Sequence, residues 1–452
     1  MSRDTIFALS TVPGRSGVAV IRISGPEARG ALAALTPGDP VPADRRARLR
    51  QLKDPEFGPG FGDVIDQALV LGFAGPRSFS GEDMVEIHCH GGRAVVDRLL
   101  SVLSRMPGLR PAEPGEFTRR AFDNGKLDLT EVEGLADLID AETAAQHRQA
   151  LRQMDGALGR LYDGWRQTLS RALAYAEADL DFPDEDLPEG ITDTIAPTLA
   201  GIGSSIRAHL ADARRGERVR SGLEIAVLGR PNAGKSSLVN LLAQRDAAIV
   251  SAVAGTTRDV VEVHLDLGGY AVVVADTAGM REIGDEVELE GVRRARLRAD
   301  SADLRVLVVD AADLDAAGGL PDDLAELCSR DTVVAVNKID RLVGPVTLSA
   351  IEGPAIGVSA VSGAGISDLV EMLVSMVRDR LSGDGGPPLT RARHRDALAE
   401  CADALDRAMA APLPELAAED VRLAVRALGR VTGRVDVEDI LDIVFRDFCI
   451  GK

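Results

Sequence analysis

The run Gly229-Arg-Pro-Asn-Ala-Gly-Lys-Ser236 has the form GxxxxGK[ST], and it lies between a short apolar run, Leu223 to Gly229, and a helix-like stretch carrying Leu238, Val239, Leu241 and Leu242. That context suits phosphate binding. Glycines let successive backbone N–H groups face the phosphates, the helix N-terminus adds its positive end, Lys235 bridges the outer phosphates and the Ser236 hydroxyl binds Mg²⁺. Further motifs follow in order. Asp276-Thr-Ala-Gly279 ends a buried strand-like run and brings a carboxylate close behind the magnesium ligands, with the Gly279 amide near the outermost phosphate. Asn337-Lys-Ile-Asp340 ends another. The Asp340 carboxylate can accept two hydrogen bonds from guanine N1–H and its 2-amino group, which adenine cannot offer. Ser359-Ala360 is placed to give a backbone amide to guanine O6, and Thr257 of Gly255-Thr-Thr-Arg-Asp259 is suited to complete the Mg²⁺ shell.

One position departs from the common pattern. Where many GTPases carry a water-orienting glutamine just after the DxxG glycine, this chain has Met280. Another group must orient water, and Glu286 and Glu288 of Asp285-Glu-Val-Glu288 are both candidates. Charge developing on the phosphates also needs a cation. An arginine finger is one solution; a monovalent cation held by the Asn232 side chain, the phosphates and loop carbonyls is the other.

These residues need a parallel sheet to hold them. Leu223 to Gly229, Tyr270 to Gly279, Leu304 to Ala311 and Thr332 to Asp340 are short β-branched runs separated by helix-like stretches, the alternation of a sheet covered on both faces. Before them, Gly17 to Ser24 and Met84 to His90 read as strands of a small α+β domain. From Thr130 to about Asp181, Leu135, Leu138 and Ile139, then Leu158, Leu161 and Trp165, fall at helical spacing. A second helical segment is expected from Ile195 to about Arg218. A linker follows at Gly383 to Pro388, with helical periodicity beyond it.

The expected architecture is therefore multidomain α/β: an N-terminal α+β domain over 1–119, an all-α helical domain in two halves, 120–217 and 383–452, and a Ras-like P-loop G domain with a mainly parallel sheet inserted at 218–382. The length of 452 residues agrees with several domains. The net charge of -19 argues against simple electrostatic coating of nucleic acid. Residues 1–130 are near balance, with 17 basic and 16 acidic side chains, whereas 131–190 carry 5 and 14. Cys89, Cys328, Cys401 and Cys449 are too scattered for a disulfide framework or zinc site. With no signal-like N-terminus and no apolar run of membrane-spanning length, a cytoplasmic protein with no membrane partner is expected. His88 and His90 share one strand face and read as structural. Arg391, Arg393, His394 and Arg395 are either an RNA-facing patch or a solvated helix face.

The chain resembles the MnmE (TrmE) family of tRNA-modifying GTPases along its whole length. The likeness rests on VAVIRISG, PGEFTRRAF, NGKLDL, DFPDED, GRPNAGKSS, GTTRD, DTAGMRE with DEVE, NKID and the closing Cys449-Ile-Gly-Lys452. It implies an N-terminal folate-binding domain that forms a homodimer and holds 5-formyl- or 5,10-methylene-tetrahydrofolate through Arg22, Glu86, Lys126 and Lys452. It further implies GTP contacts at Asn232, Ala233, Gly234, Lys235, Ser236 and Ser237; at Ser251, Ala252, Val253, Ala254, Gly255, Thr256 and Thr257; at Asp276, Thr277, Ala278 and Gly279; and at Asn337, Lys338, Asp340, Ser359 and Ala360. Glu288 becomes the water-orienting catalytic residue, Ser236 and Thr257 the Mg²⁺ ligands, and Asn232, Ser251, Val253 and Thr256 the ligands of an activating K⁺. The implied partners are an FAD-dependent MnmG-type protein, in a heterotetramer or larger complex, and tRNAs whose wobble uridine receives a carboxymethylaminomethyl or aminomethyl group at C5. The rival expectation is a regulatory GTPase of ribosome assembly, which would normally carry a basic RNA-binding domain.

Overall fold

The computed structural model describes residues 4–39, 41, 45–56, 64–181, 191–212, 214–244, 262–276, 302–383, 386–435, 438–446, 448, 450 and 451. They group into two compact units. One comprises Met1–Ala136, Gln153–Ile195 and Ala410–Lys452, the other Asp137–Arg152 and Ala196–Met409.

The first unit is built on a six-stranded sheet of β1 (Thr5–Leu9), β2 (Ser16–Ser24), β3 (Arg48–Lys53), β4 (Val64–Phe73), β5 (Met84–Gly91) and β6 (Leu109–Pro111). Their order is β3-β4-β5-β2-β1-β6, antiparallel except for the β1–β6 pair. Strand β2 shows why one face is core. Ala19, Ile21 and Ile23 alternate inward and pack with Leu32 and Leu35 of helix Ala28–Leu35 and Leu99 and Leu103 of helix Arg93–Arg105. The residues between them, with their β5 partners, fall on the opposite face. Arg22 lies directly across from Glu86, and Val20 across from His88.

The helical stretch expected as one run from Thr130 divides into Leu129–Asp140, Ala144–Met154 and Ala157–Asp181. Two capping boxes and a glycine explain the division. Asp128 accepts from the Glu131 N–H at 2.9 Å while Glu131 accepts from the Asp128 N–H at 2.7 Å. Thr143 and Gln146 make the same reciprocal exchange at 3.4 and 3.0 Å. Gly156, at φ +78°, separates the second and third helices. Helix Ala157–Asp181 packs on helix Pro414–Thr432, which turns Ala418, Val421, Ala424, Leu428 and Val431 inward at helical spacing. Phe445 and Phe448 close a smaller core against Leu129 and Val132.

The second unit holds β7 (Leu223–Leu228), β8 (Glu262–Leu267), β9 (Tyr270–Asp276), β10 (Leu304–Asp310), β11 (Thr332–Asn337) and β12 (Ala355–Gly357) in the order β12-β11-β10-β7-β9-β8. Only the β8–β9 pair is antiparallel. Alternate residues feed two cores. Ile225, Val227, Val306 and Val308 face helices Lys235–Leu242 and Ile366–Leu381, while Ala226, Leu228, Leu307 and Val309 face the other side. Burial on both faces is why these strands read as unbroken apolar runs. The α+β and mainly parallel architectures match the expected fold class.

Candidate nucleotide site and N-terminal cleft

Strand β7 lies between β10 and β9, so chain order reverses around it, and the crevice beyond the carboxyl ends of such strands is where ligands bind in open α/β sheets. The phosphate-binding loop occupies that crevice. Gly229 leaves β7 at φ +139°, and a Cβ there would lie 2.1 Å from the Val308 carbonyl oxygen; at Gly234, φ +97°, one would lie 2.2 Å from Asn337 Nδ2. Neither position admits a side chain. Asn232 also adopts a left-handed conformation, φ +62°. Lys235 is buried, and its Nζ donates to the carbonyls of Gly229 and Arg230 at 2.9 Å each, which folds the ammonium across the loop. Ser236 and Ser237 follow, exposed, in the first helical turn.

The base-reading segment is tied to this loop by side chains. Asn337, 2% exposed, donates from Nδ2 to the Ala233 carbonyl at 2.9 Å and accepts the Ala360 N–H on Oδ1 at 3.0 Å. One amide thus joins phosphate loop, β11 and the Ser359-Ala360 turn. Lys338 donates to the Asn232 carbonyl at 2.7 Å and to Asp310 Oδ2 at 2.6 Å. The Ser359 hydroxyl donates to Asp340 Oδ1 at 2.5 Å, which fixes the exposed carboxylate that would meet the base. Asp276 ends β9 in register with Val227, one residue before the end of β7. Of the remaining predicted nucleotide and cation residues, Ser251, Ala252, Val253, Ala254, Gly255, Thr256, Thr257, Thr277, Ala278, Gly279 and Glu288 lie outside the described residues, as does Lys452.

On the face of the N-terminal sheet opposite its main core is a cleft of about 460 Å³ lined by Arg45, Phe73, Arg77, Ser78, Phe79, Met84, Glu86 and Lys126. Two of the predicted folate residues, Glu86 and Lys126, line it. The third, Arg22, holds Glu86 Oε1 from Nε and Nη2 at 3.1 and 2.9 Å, and its guanidinium lies 5.3 Å from the Phe79 ring centroid and 5.6 Å from that of Phe117. Glu86 Oε2 meets His88 Nε2 at 3.5 Å. The chain end comes to the same sheet. The Gly451 carbonyl accepts the Ser10 hydroxyl at 2.8 Å, next to the end of β1.

An ion network with no local signature in the sequence adjoins this cleft through Phe79. Arg120, 6% exposed, donates to Asp4 Oδ1, Glu82 Oε2 and Glu116 Oε1 at 3.0 to 3.1 Å. Arg110 holds Glu116 from two nitrogens at 2.6 and 2.8 Å and Asp4 at 2.5 Å. Glu82 in turn accepts the Ser24 hydroxyl at 2.8 Å, and Ser24 pairs with Ser80 next to Phe79. Burial works against ionisation of Asp4 and Glu116, but the hydrogen bonds and charges of Arg110 and Arg120 outweigh it and hold both carboxyls below their ordinary values of 3.8 and 4.5. Depressed folded values mean a stabilising contribution that is complete above those ordinary values and lost as pH falls through the folded ones. An acid titration of the N-terminal unit by circular dichroism should therefore show stability falling below about pH 4, and less steeply in Glu116→Gln.

The basic run contradicts both expectations for it. Arg391 pairs with Asp137 at 2.8 Å, His394 is fully buried, and Arg395 donates to Glu217 at 3.1 Å and to the Leu210 carbonyl at 3.0 Å. It is an internal staple, neither an open patch nor a solvated face. His90 holds Asp66 at 2.8 Å, as a structural histidine would. Burial pushes the Cys89 thiol up to about 11 and Cys401 to about 12, so neither supplies a thiolate near neutrality. Cys449 lies outside the described residues. Among the described residues no group of three or more His, Cys, Asp or Glu could hold a metal ion, and no helix is long and apolar enough to cross a membrane.

A phosphate loop at the switch point of a mainly parallel sheet, stapled to an NKxD loop that aims a carboxylate outward, defines a P-loop guanine-nucleotide-binding protein. Family models match residues 5–126, described as GTP-binding protein TrmE N-terminus, and residues 129–449, described as MnmE helical domain. The tRNA modification GTPase MnmE of Parvibaculum lavamentivorans is 54% identical over 453 residues, covering 99% of this chain and all of that protein. The protein of the same name from Rhodospirillum rubrum is 54% identical over 460 residues, covering both chains fully. The chain belongs to the MnmE family of tRNA modification GTPases.

Proposed function

We propose that this chain is a K⁺-activated GTP hydrolase that works as a cytoplasmic homodimer with an FAD-dependent MnmG-type partner, in a heterotetramer or larger complex. Together they install a carboxymethylaminomethyl or aminomethyl group at C5 of the wobble uridine of certain tRNAs, with 5-formyl- or 5,10-methylene-tetrahydrofolate as the one-carbon source. In this reading the N-terminal dimerisation domain covers 1–119, the helical domain 120–217 and 383–452, and the G domain 218–382. The observation that carries the GTPase half is the joining of phosphate loop and base-reading loop through Asn337 and Lys338. Full-length likeness to relatives named for tRNA modification supports the other half.

Each residue's part follows from its chemistry. The loop N–H groups and Lys235 bind the phosphates, and Asp340 reads the base, joined by the Ala360 amide once it exchanges Asn337 Oδ1 for guanine O6. Ser236 and Thr257 would hold Mg²⁺, and Asn232, Ser251, Val253 and Thr256 would hold K⁺; both ions supply positive charge against the phosphates. Hydroxyl, amide and carbonyl oxygens are the hard ligands such cations take, and the exposure of Ser236 and Asn232 at the loop fits that role. Glu288 orients the attacking water, which Met280 cannot do. In the N-terminal cleft, Glu86 accepts from an amino-pyrimidine edge on Oε2, while Arg22, Lys126 and Lys452 attract carboxylates. The aromatic walls Phe73 and Phe79 suit a flat ring.

Steady-state GTP turnover at constant ionic strength tests the cation assignment. Replacing K⁺ by Na⁺ is expected to slow hydrolysis by roughly 10²-fold, the effect of one group set against developing charge. Equal rates in the two salts would contradict it.

A further inference from the structure

Asp310 ends β10 directly beside Asn337, its partner in the parallel register with β11. Its carboxylate is fixed from two sides. Oδ1 accepts the Ala312 N–H at 3.1 Å, capping the short turn that follows, and Oδ2 accepts from Lys338 Nζ at 2.6 Å. The two side chains are only 20% and 22% exposed. Burial opposes its ionisation, but the hydrogen bonds from Lys338 and the Ala312 N–H, with the charges of Lys338 and Arg341, together outweigh that and hold the carboxyl below its ordinary range. Lys338 itself has a left-handed backbone, φ +65°, and spends a second N–H on the carbonyl of Asn232, itself left-handed in the phosphate loop. A lysine chain is flexible, and its ammonium is well hydrated when nothing holds it. An anchored carboxylate at 2.6 Å removes that freedom before ligand arrives.

We propose that Asp310 is a positioning residue for guanine-nucleotide binding: it acts through Lys338 to keep the phosphate loop at Asn232 and the base-reading loop at one fixed separation. The inference rests on the nucleotide-site reading and shares Asn232 with the K⁺ assignment, while the folate and tRNA assignments play no part in it. Preorganisation of this kind shows in affinity and residence time, because binding must otherwise order the loops itself. At saturating nucleotide the bound ligand itself holds the two loops together, so turnover there should change little.

The test uses the full chain and a fluorescent GDP analogue, with dissociation followed by stopped flow and KM and kcat for GTP measured alongside. Asp310→Ala is expected to raise the dissociation rate and KM by about tenfold to a hundredfold, the worth of a hydrogen bond to a charged group, with kcat within about twofold of the parent. Asp310→Asn keeps an acceptor but loses the charge, and should fall between. In the Lys338→Ala background, Asp310→Ala should add nothing, because its route to the nucleotide has been removed. Independent, additive losses would overturn the proposal, as would an Asp310→Ala protein that keeps parental affinity. If Asp310→Ala does not fold, Asp310→Asn alone and combined with Lys338→Ala gives the same cycle. Failure of the guanine-site reading itself would look different, since the parent would then bind GDP no better than ADP.

Discussion

Asp340→Asn is expected to lower kcat/KM for GTP by roughly 10³-fold or more and to make xanthosine triphosphate the better substrate. The expectation comes from counting donors and acceptors. Guanine presents two donors, N1–H and the 2-amino group, to one carboxylate, and the Ser359 hydroxyl holds that carboxylate in place at 2.5 Å. An amide there meets the 2-amino group with its own donor and leaves polar groups unmatched, which costs far more than losing an apolar contact. Xanthine carries a carbonyl in place of the 2-amino group, so the same amide again finds a complement. Steady-state kinetics with GTP, ATP and xanthosine triphosphate separate the outcomes. A variant that still prefers GTP at the parental rate would remove Asp340 from base recognition.

Arg120→Ala carries the largest expected effect on stability. Its guanidinium is 7% exposed and satisfies Asp4, Glu82 and Glu116 together. Removing it leaves carboxylates in a half-buried site with only Arg110 to compensate. Breaking a buried pair by deleting one partner costs about 3 to 5 kcal/mol. Because Asp4 and Glu82 keep some contact with water, the lower end is expected, with Tm of the N-terminal unit falling by roughly 6 to 12 °C. Differential scanning calorimetry decides this. The network also leads through Glu82, Ser24 and Ser80 to the loop carrying Phe79, so the folate binding proposed for the cleft should weaken as well. A Tm within a degree or two of the parent would show that the network is only a surface ornament.

Much of this was legible in the linear chain where local chemistry and periodicity agree. The runs at β2, β5, β7, β9, β10 and β11 declare themselves because they are apolar and β-branched, and the phosphate loop because its glycines occupy positions that no side chain fits. Strand β8, Glu262-Val-His-Leu-Asp-Leu267, alternates with period two, but its charged residues make it far less conspicuous than the apolar runs. The capping boxes Asp128/Glu131 and Thr143/Gln146 are the local signals of two helix starts where no proline or glycine marks the boundary. Other features have no local signature. The fate of Arg391 depends on Asp137, 254 residues earlier in the chain, and the joining of Arg120 to Asp4 spans 116. A run of basic residues looks the same whether its partners are water, phosphate or distant carboxylates, so only the fold distinguishes a staple from a patch. Lys338 is similar. Its motif marks it for the nucleotide, but its carboxylate partner Asp310 comes from a different strand.

If GTP hydrolysis by this chain serves chemistry on tRNA, mass-spectrometric nucleoside analysis of tRNA from a strain in which the chain is deleted reads the consequence. Loss of the carboxymethylaminomethyl and aminomethyl groups from C5 of wobble uridines is expected, with recovery when the chain is restored. Wobble uridines unchanged by the deletion would contradict it.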